Sequence, residues 1–161
     1  MNARTIGGEW LFKYYWSFDT VPAASDFEQY AKAVMICASG DGSVTPGERS
    51  WIMGYFAALG CTEDLLDLLA TYTADEPIEA VLAQSKPVNV STRALIYDAI
   101  RACAADGALH PEEIARIRHM NHVLGLPGQV VDDWLAYHTE EDDIRLRRVE
   151  MTWPDPDDKP Y

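Results

Sequence analysis

Basic residues, cysteines and long apolar runs are all scarce in this chain, and each scarcity excludes a class of function. The 161 residues include 13 Lys and Arg against 26 Asp and Glu, a formal net charge of −13. A surface this acidic repels phosphate backbones and anionic headgroups, so no nucleic-acid partner is expected; it attracts cations or a basic protein. The three cysteines, Cys37, Cys61 and Cys103, form no CxxC pair. That excludes a disulfide scaffold or a zinc finger and fits buried thiols in a reducing cytosol, so a cytoplasmic location is expected. No run approaches the roughly 18 apolar residues of a membrane span, and the first residues lack the basic start and apolar core of a secretion signal. The chain is therefore expected not to be membrane-embedded.

Catalytic patterns are missing too. There is no GxSxG, no HExxH, no phosphate loop, and neither His119 nor His122 has a Glu three residues before it. The cysteines fall in apolar stripes rather than beside a base. A non-enzymatic protein with no organic cofactor is expected.

What is present is apolar content, 48% of residues, enough for a core in a chain of this length. Its patterning is helical. Phe27, Tyr30, Ala31, Val34, Cys37 and Ala38 form one stripe, and Trp51, Ile52, Tyr55, Phe56 and Leu59 another. The punctuation agrees: Pro46, Pro111 and Pro127 open helices, Thr62 caps one, and Gly60 and Gly125 close them. No segment between Ser25 and Tyr137 reads as a strand. The expected fold is all-α, a single-domain bundle of about seven helices. Three regions follow: an aromatic N-terminal segment over 1–25, ambiguous between helix and strand; a helical domain over 26–139; and a charged helix with a Pro-rich tail over 140–161. The Pro87–Ser91 stretch reads as a break and Ser25 or Asp26 as the cap of the first domain helix. The aromatic N-terminus offers surface for a protein partner or for self-association.

An internal repeat organises the domain. Shifting the sequence by 65 residues aligns residues 33–60 with 98–125: Asp41 meets Asp106, Gly42 meets Gly107, Pro46 meets Pro111, Glu48 meets Glu113, Ile52 meets Ile117, and Gly60 meets Gly125. Each half reads helix, Asp-Gly turn, Pro-opened helix, Gly stop, which predicts two related helical hairpins.

The acids of the repeat sit on the apolar side. At about 100° per residue, Ile117, Met120 and Leu124 lie within about 40° of Glu113, and Ile52, Tyr55 and Leu59 lie as close to Glu48; His119 and His122 face away. Asp41 and Asp106 continue the stripes of the preceding helices. A buried carboxylate needs a partner. Two partners are open. Thr45-Pro46-Gly47-Glu48 is a capping box, and Glu113 stands at the same N3 position, so the acids can cap helices in a metal-free interaction module. Alternatively Asp41, Glu48, Asp106 and Glu113 can hold a divalent cation, Ca²⁺, Mg²⁺ or Mn²⁺. Neither loop has the alternating acids of an EF-hand, so such a site must be shared between repeats.

The twice-repeated pattern, Ser39-Gly40-Asp41-Gly42 through Glu48 and Ala104-Ala105-Asp106-Gly107 through Glu113, resembles the tellurite-resistance TerB-like family. The resemblance covers residues 26–138. It implies an all-helical fold of two related hairpins, a link to stress response and resistance to toxic oxyanions, and metal binding through Asp41, Glu48, Asp106 and Glu113. Gly40 departs from the usual Ala, and the family core leaves the aromatic N-terminus and Pro-rich tail unexplained. Tellurite is itself an anion, which this surface repels.

Overall fold

The computed structural model describes residues 3–39, 43–107 and 109–161, without the side chain of Asp106. The described residues are helical, with no strand among them. In chain order they form α1 (Ala3–Tyr14), α2 (Ala24–Ala38), α3 (Pro46–Ala58), α4 (Glu63–Thr71), α5 (Ile78–Leu82), α6 (Lys86–Val90), α7 (Thr92–Cys103), α8 (Pro111–Val123) and α9 (Gln129–Thr152), with short 3₁₀ turns at Ala104–Asp106 and Pro156–Asp158.

The repeat is visible in the boundaries. Helices α3 and α8 begin and end 65 positions apart, and so do the C-terminal ends of α2 and α7. The pairing of α2 with α7 forms the centre of the molecule. Ala31, Ala33 and Val34 on one, and Leu95, Ala99 and Ile100 on the other, have no exposed surface. Small residues at this crossing let the two backbones approach, and the remaining helices pack around them.

Several local expectations resolve physically. The aromatic N-terminus is a helix rather than a strand, and its two faces differ. Phe12 is buried against Phe18 and Phe27, whereas Trp10 and Tyr14 are 59% and 64% exposed. Helix α1 crosses the end of α3 at two glycines. A Cβ on Gly8 would lie 2.4 Å from the Leu59 carbonyl oxygen, and Gly60 adopts φ +88°, which favours glycine. The cap of α2 falls two residues earlier than Ser25: Ala23 precedes the helix without a side-chain cap. Asp26 instead accepts a hydrogen bond from Ser85 Oγ at 2.5 Å, tying α2 to the start of α6. Pro87 does not break the chain; it lies in the first turn of α6 behind the Ser85 cap, where its missing N–H costs nothing. The charged run 140–150 continues α9 without interruption.

Arg49 closes α4 from outside. Its guanidinium donates to the carbonyls of Leu69 and, at 3.0 Å, of Tyr72, satisfying oxygens that a helix end leaves bare.

Candidate functional site

Glu48 and Glu113 open equivalent helices, and the repeat brings them together. Each stands at N3 of its helix, behind a proline at N1. One oxygen of each carboxylate is used locally: Glu48 Oε2 accepts from the Thr45 backbone N–H at 2.7 Å, and Glu113 Oε2 from the His110 backbone N–H at 2.7 Å. Thr45 Oγ1 reciprocates by accepting from the Glu48 N–H at 3.3 Å.

The second oxygens point elsewhere. Ligand atoms of Glu48, Glu113 and Cys103 all lie within 4.8 Å of one another. Glu48 is only 4% exposed, and its Oε1 is buried with no hydrogen-bond partner among the described residues. Glu113 is half-buried, with Arg116 at 3.8 Å from its Oε1. Burial, and then the two carboxylates, push the Cys103 thiol well above its ordinary pKa; Arg116 opposes them. The cluster is thus two carboxylates and a thiol with one guanidinium at its edge.

Of the four acids in the sequence motif, two are thus neighbours. Asp41 lies outside the described residues. The backbone of Asp106 belongs to the 3₁₀ turn that links Cys103 to Gly107 (φ +118°). Cys103 was missed by sequence reasoning because it sits in an apolar helical stripe like any core cysteine. A signal did exist: position 103 aligns with Ala38, so the thiol is where the repeat departs from its own symmetry. His119 and His122 are exposed on α8, away from this cluster.

A second buried polar centre lies in the core. Asp98 on α7 has no exposed surface. It accepts from Tyr30 Oη at 2.9 Å and from Arg101 Nη1 at 3.2 Å. The Arg101 guanidinium is surrounded by the rings of Tyr15, Trp51, Tyr55 and Tyr97 at 4.9–5.6 Å from their centroids, a cation–π cage. Burial raises the Asp98 carboxyl to about 6 despite these partners. Tyr15 and Tyr97 both donate to Glu141, at 3.0 and 2.7 Å, which joins α9 to the cage. Every polar contact here is internal, so this centre reads as structural.

The fold and the paired glutamates define an acidic, all-helical protein of two related hairpins with a carboxylate–thiol cluster where the repeats meet. No family model matches the chain, and no curated protein matches it. Among solved structures, a tellurite resistance protein from Nostoc punctiforme PCC 73102 is similar over the whole of both chains, with a TM-score of 0.93 and 33% sequence identity. The chain belongs to the TerB-like tellurite-resistance family. None of its described helices is long and apolar enough to cross a membrane.

Proposed function

We propose that this TerB-like protein binds a divalent cation at the junction of its repeats, through Glu48, Glu113 and Cys103, and acts by binding rather than by catalysis. The observation that carries this reading is Glu48 Oε1: a buried carboxylate oxygen without a hydrogen-bond partner among the described residues, beside a second carboxylate and a thiol. Leaving such an oxygen unsatisfied is costly, and a cation supplies the missing charge. The donor set also bears on which ion. Carboxylates alone suit Ca²⁺, Mg²⁺ or Mn²⁺, whereas a thiolate beside them favours Zn²⁺. Metal binding would draw the proton off Cys103, which the carboxylates otherwise keep in place.

The capping bonds to Thr45 and His110 favour a second reading, in which the acids only start helices in a metal-free interaction module. The two readings share the Oε2 atoms and differ over the Oε1 atoms.

Thermal unfolding in EDTA, Zn²⁺, Mn²⁺ and Ca²⁺ separates them. An ion at 100 times its Kd adds about 2.7 kcal/mol, a rise of roughly 2–8 °C for a chain of this size. The expected rise is present in wild type and lost in Glu48→Gln/Glu113→Gln, which preserves the caps. If Cys103 is a ligand, Cys103→Ser weakens Zn²⁺ more than Mn²⁺. An unchanged midpoint in all three ions leaves the capping reading in place.

A further inference from the structure

Beyond Glu141, α9 makes no hydrogen bond or ion pair to another helix among the described residues. Glu141 ties this helix to the bundle through Tyr15 and Tyr97. The six residues from Asp143 to Arg148 that follow are all exposed. A helix segment without tertiary packing is marginal in water, and this one also presents apolar surface: Ile144 is 67% exposed and Met151 74%. Ile144, Arg147, Arg148, Met151 and Thr152 line a shallow open depression along it.

The charge pattern says what fits there. Glu140 lies four residues before Ile144 and Arg148 four after; Tyr137 lies seven before and Met151 seven after. At 100° per residue all five fall within about 40° of one meridian. Tyr137, 48% exposed, rests edge-on against Tyr97 and Trp134, so this stripe starts on the body and runs out along the projection. Arg145 is occupied by Asp142 at 2.7 Å, but Glu140 and Arg148 have no ion-pair partner among the described residues.

We infer that this face of α9 pairs antiparallel with the same face of a second copy of the chain, on a twofold axis through Ile144. Turning the helix about that residue places Glu140 opposite Arg148, Tyr137 opposite Met151, and Ile144 opposite itself. A surface complementary to its own rotated image is what an isologous interface requires. The stripe itself is charge-balanced, one Glu140 and one Arg148 per copy, so the contact sets each acid against a base although the chain carries −13. The stripe spans about 21 Å, short of what a standard interface buries, so the dimer is weak and concentration-dependent.

Sedimentation equilibrium from micromolar to millimolar chain tests this. Wild type dimerises, and Ile144→Glu, which sets two carboxylates face to face, weakens association at least tenfold. Glu140→Arg and Arg148→Glu each weaken it several-fold by opposing like charges, while the double swap E140R/R148E restores it. All three positions are exposed, so the fold is retained, checked by unchanged circular dichroism. A wild type that stays monomeric at millimolar concentration overturns the inference. So does a dimer indifferent to Ile144→Glu, or one the double swap does not restore, since its contact lies elsewhere.

Discussion

Asp98 and Glu48 are both buried acids, and they are treated oppositely. Asp98, at 0% exposure, has its counterion three residues along the same helix and a tyrosine hydroxyl from α2. Glu48, at 4%, has one oxygen on a backbone amide and the other without a hydrogen-bond partner among the described residues, near the Cys103 thiol. The first arrangement is closed: charge, hydrogen bonds and aromatic cage are all supplied by the chain. The second is open: one carboxylate oxygen is left for the cation proposed above. The difference follows from the repeat. Asp98 and Arg101 stand where the first repeat has Ala33 and Ile36, so they are additions of the second half. Glu48 and Glu113 are the shared element.

The comparison can be broken at its strongest point first. Arg101→Met should leave Asp98 buried without its charge and cost about 3–5 kcal/mol in urea denaturation. The loss should be larger at pH 8 than at pH 5, because the stranded acid can take up a proton. Asp98→Asn isolates the titration itself. The folded state holds this proton to about 6, against 3.8 for the unstructured chain. The residue's contribution to stability is therefore fullest below pH 4 and is lost as pH rises through 6. Relative to wild type, Asp98→Asn should gain about 2 kcal/mol between pH 4 and pH 7; a flat difference would show that the carboxyl is not raised. Glu48→Gln in EDTA should change stability by less than about 1 kcal/mol, since glutamine still accepts from Thr45 N–H. A large loss there would make Glu48 as internally compensated as Asp98. The smallest contrast separates the repeats. Thr45→Ala removes a side-chain cap worth about 1 kcal/mol. His110→Ala should be close to neutral, because the bond to Glu113 comes from the backbone N–H.

Much of this was readable in the sequence. The all-helical fold, the two hairpins and the boundaries of α3 and α8 follow from apolar stripes punctuated by Pro and Gly, because those signals are local. So does the inward position of Glu48, which its angular relation to Ile52 and Leu59 sets. The N-terminus was ambiguous because Trp10, Phe12, Tyr14 and Trp16 alternate as a strand would; the close crossing of Gly8 over Leu59 is a tertiary fact with no local signature. Pro87–Ser91 reads as a break in the sequence because a proline in the first turn of a five-residue helix resembles a proline in a loop. Cys103 and the Arg101 cage were hidden for a related reason. Each depends on side chains from distant helices meeting, and a single helix shows only that they face inward.

The division of labour within each glutamate has a spectroscopic consequence. The carboxylates proposed to hold an ion also accept from the Thr45 and His110 amides. Charge drawn toward an ion at Oε1 is charge withdrawn from Oε2. These two amide protons therefore form a built-in pair of reporters, one per repeat. Their chemical shifts should move together on titration with metal, and should stay in place if no ion enters.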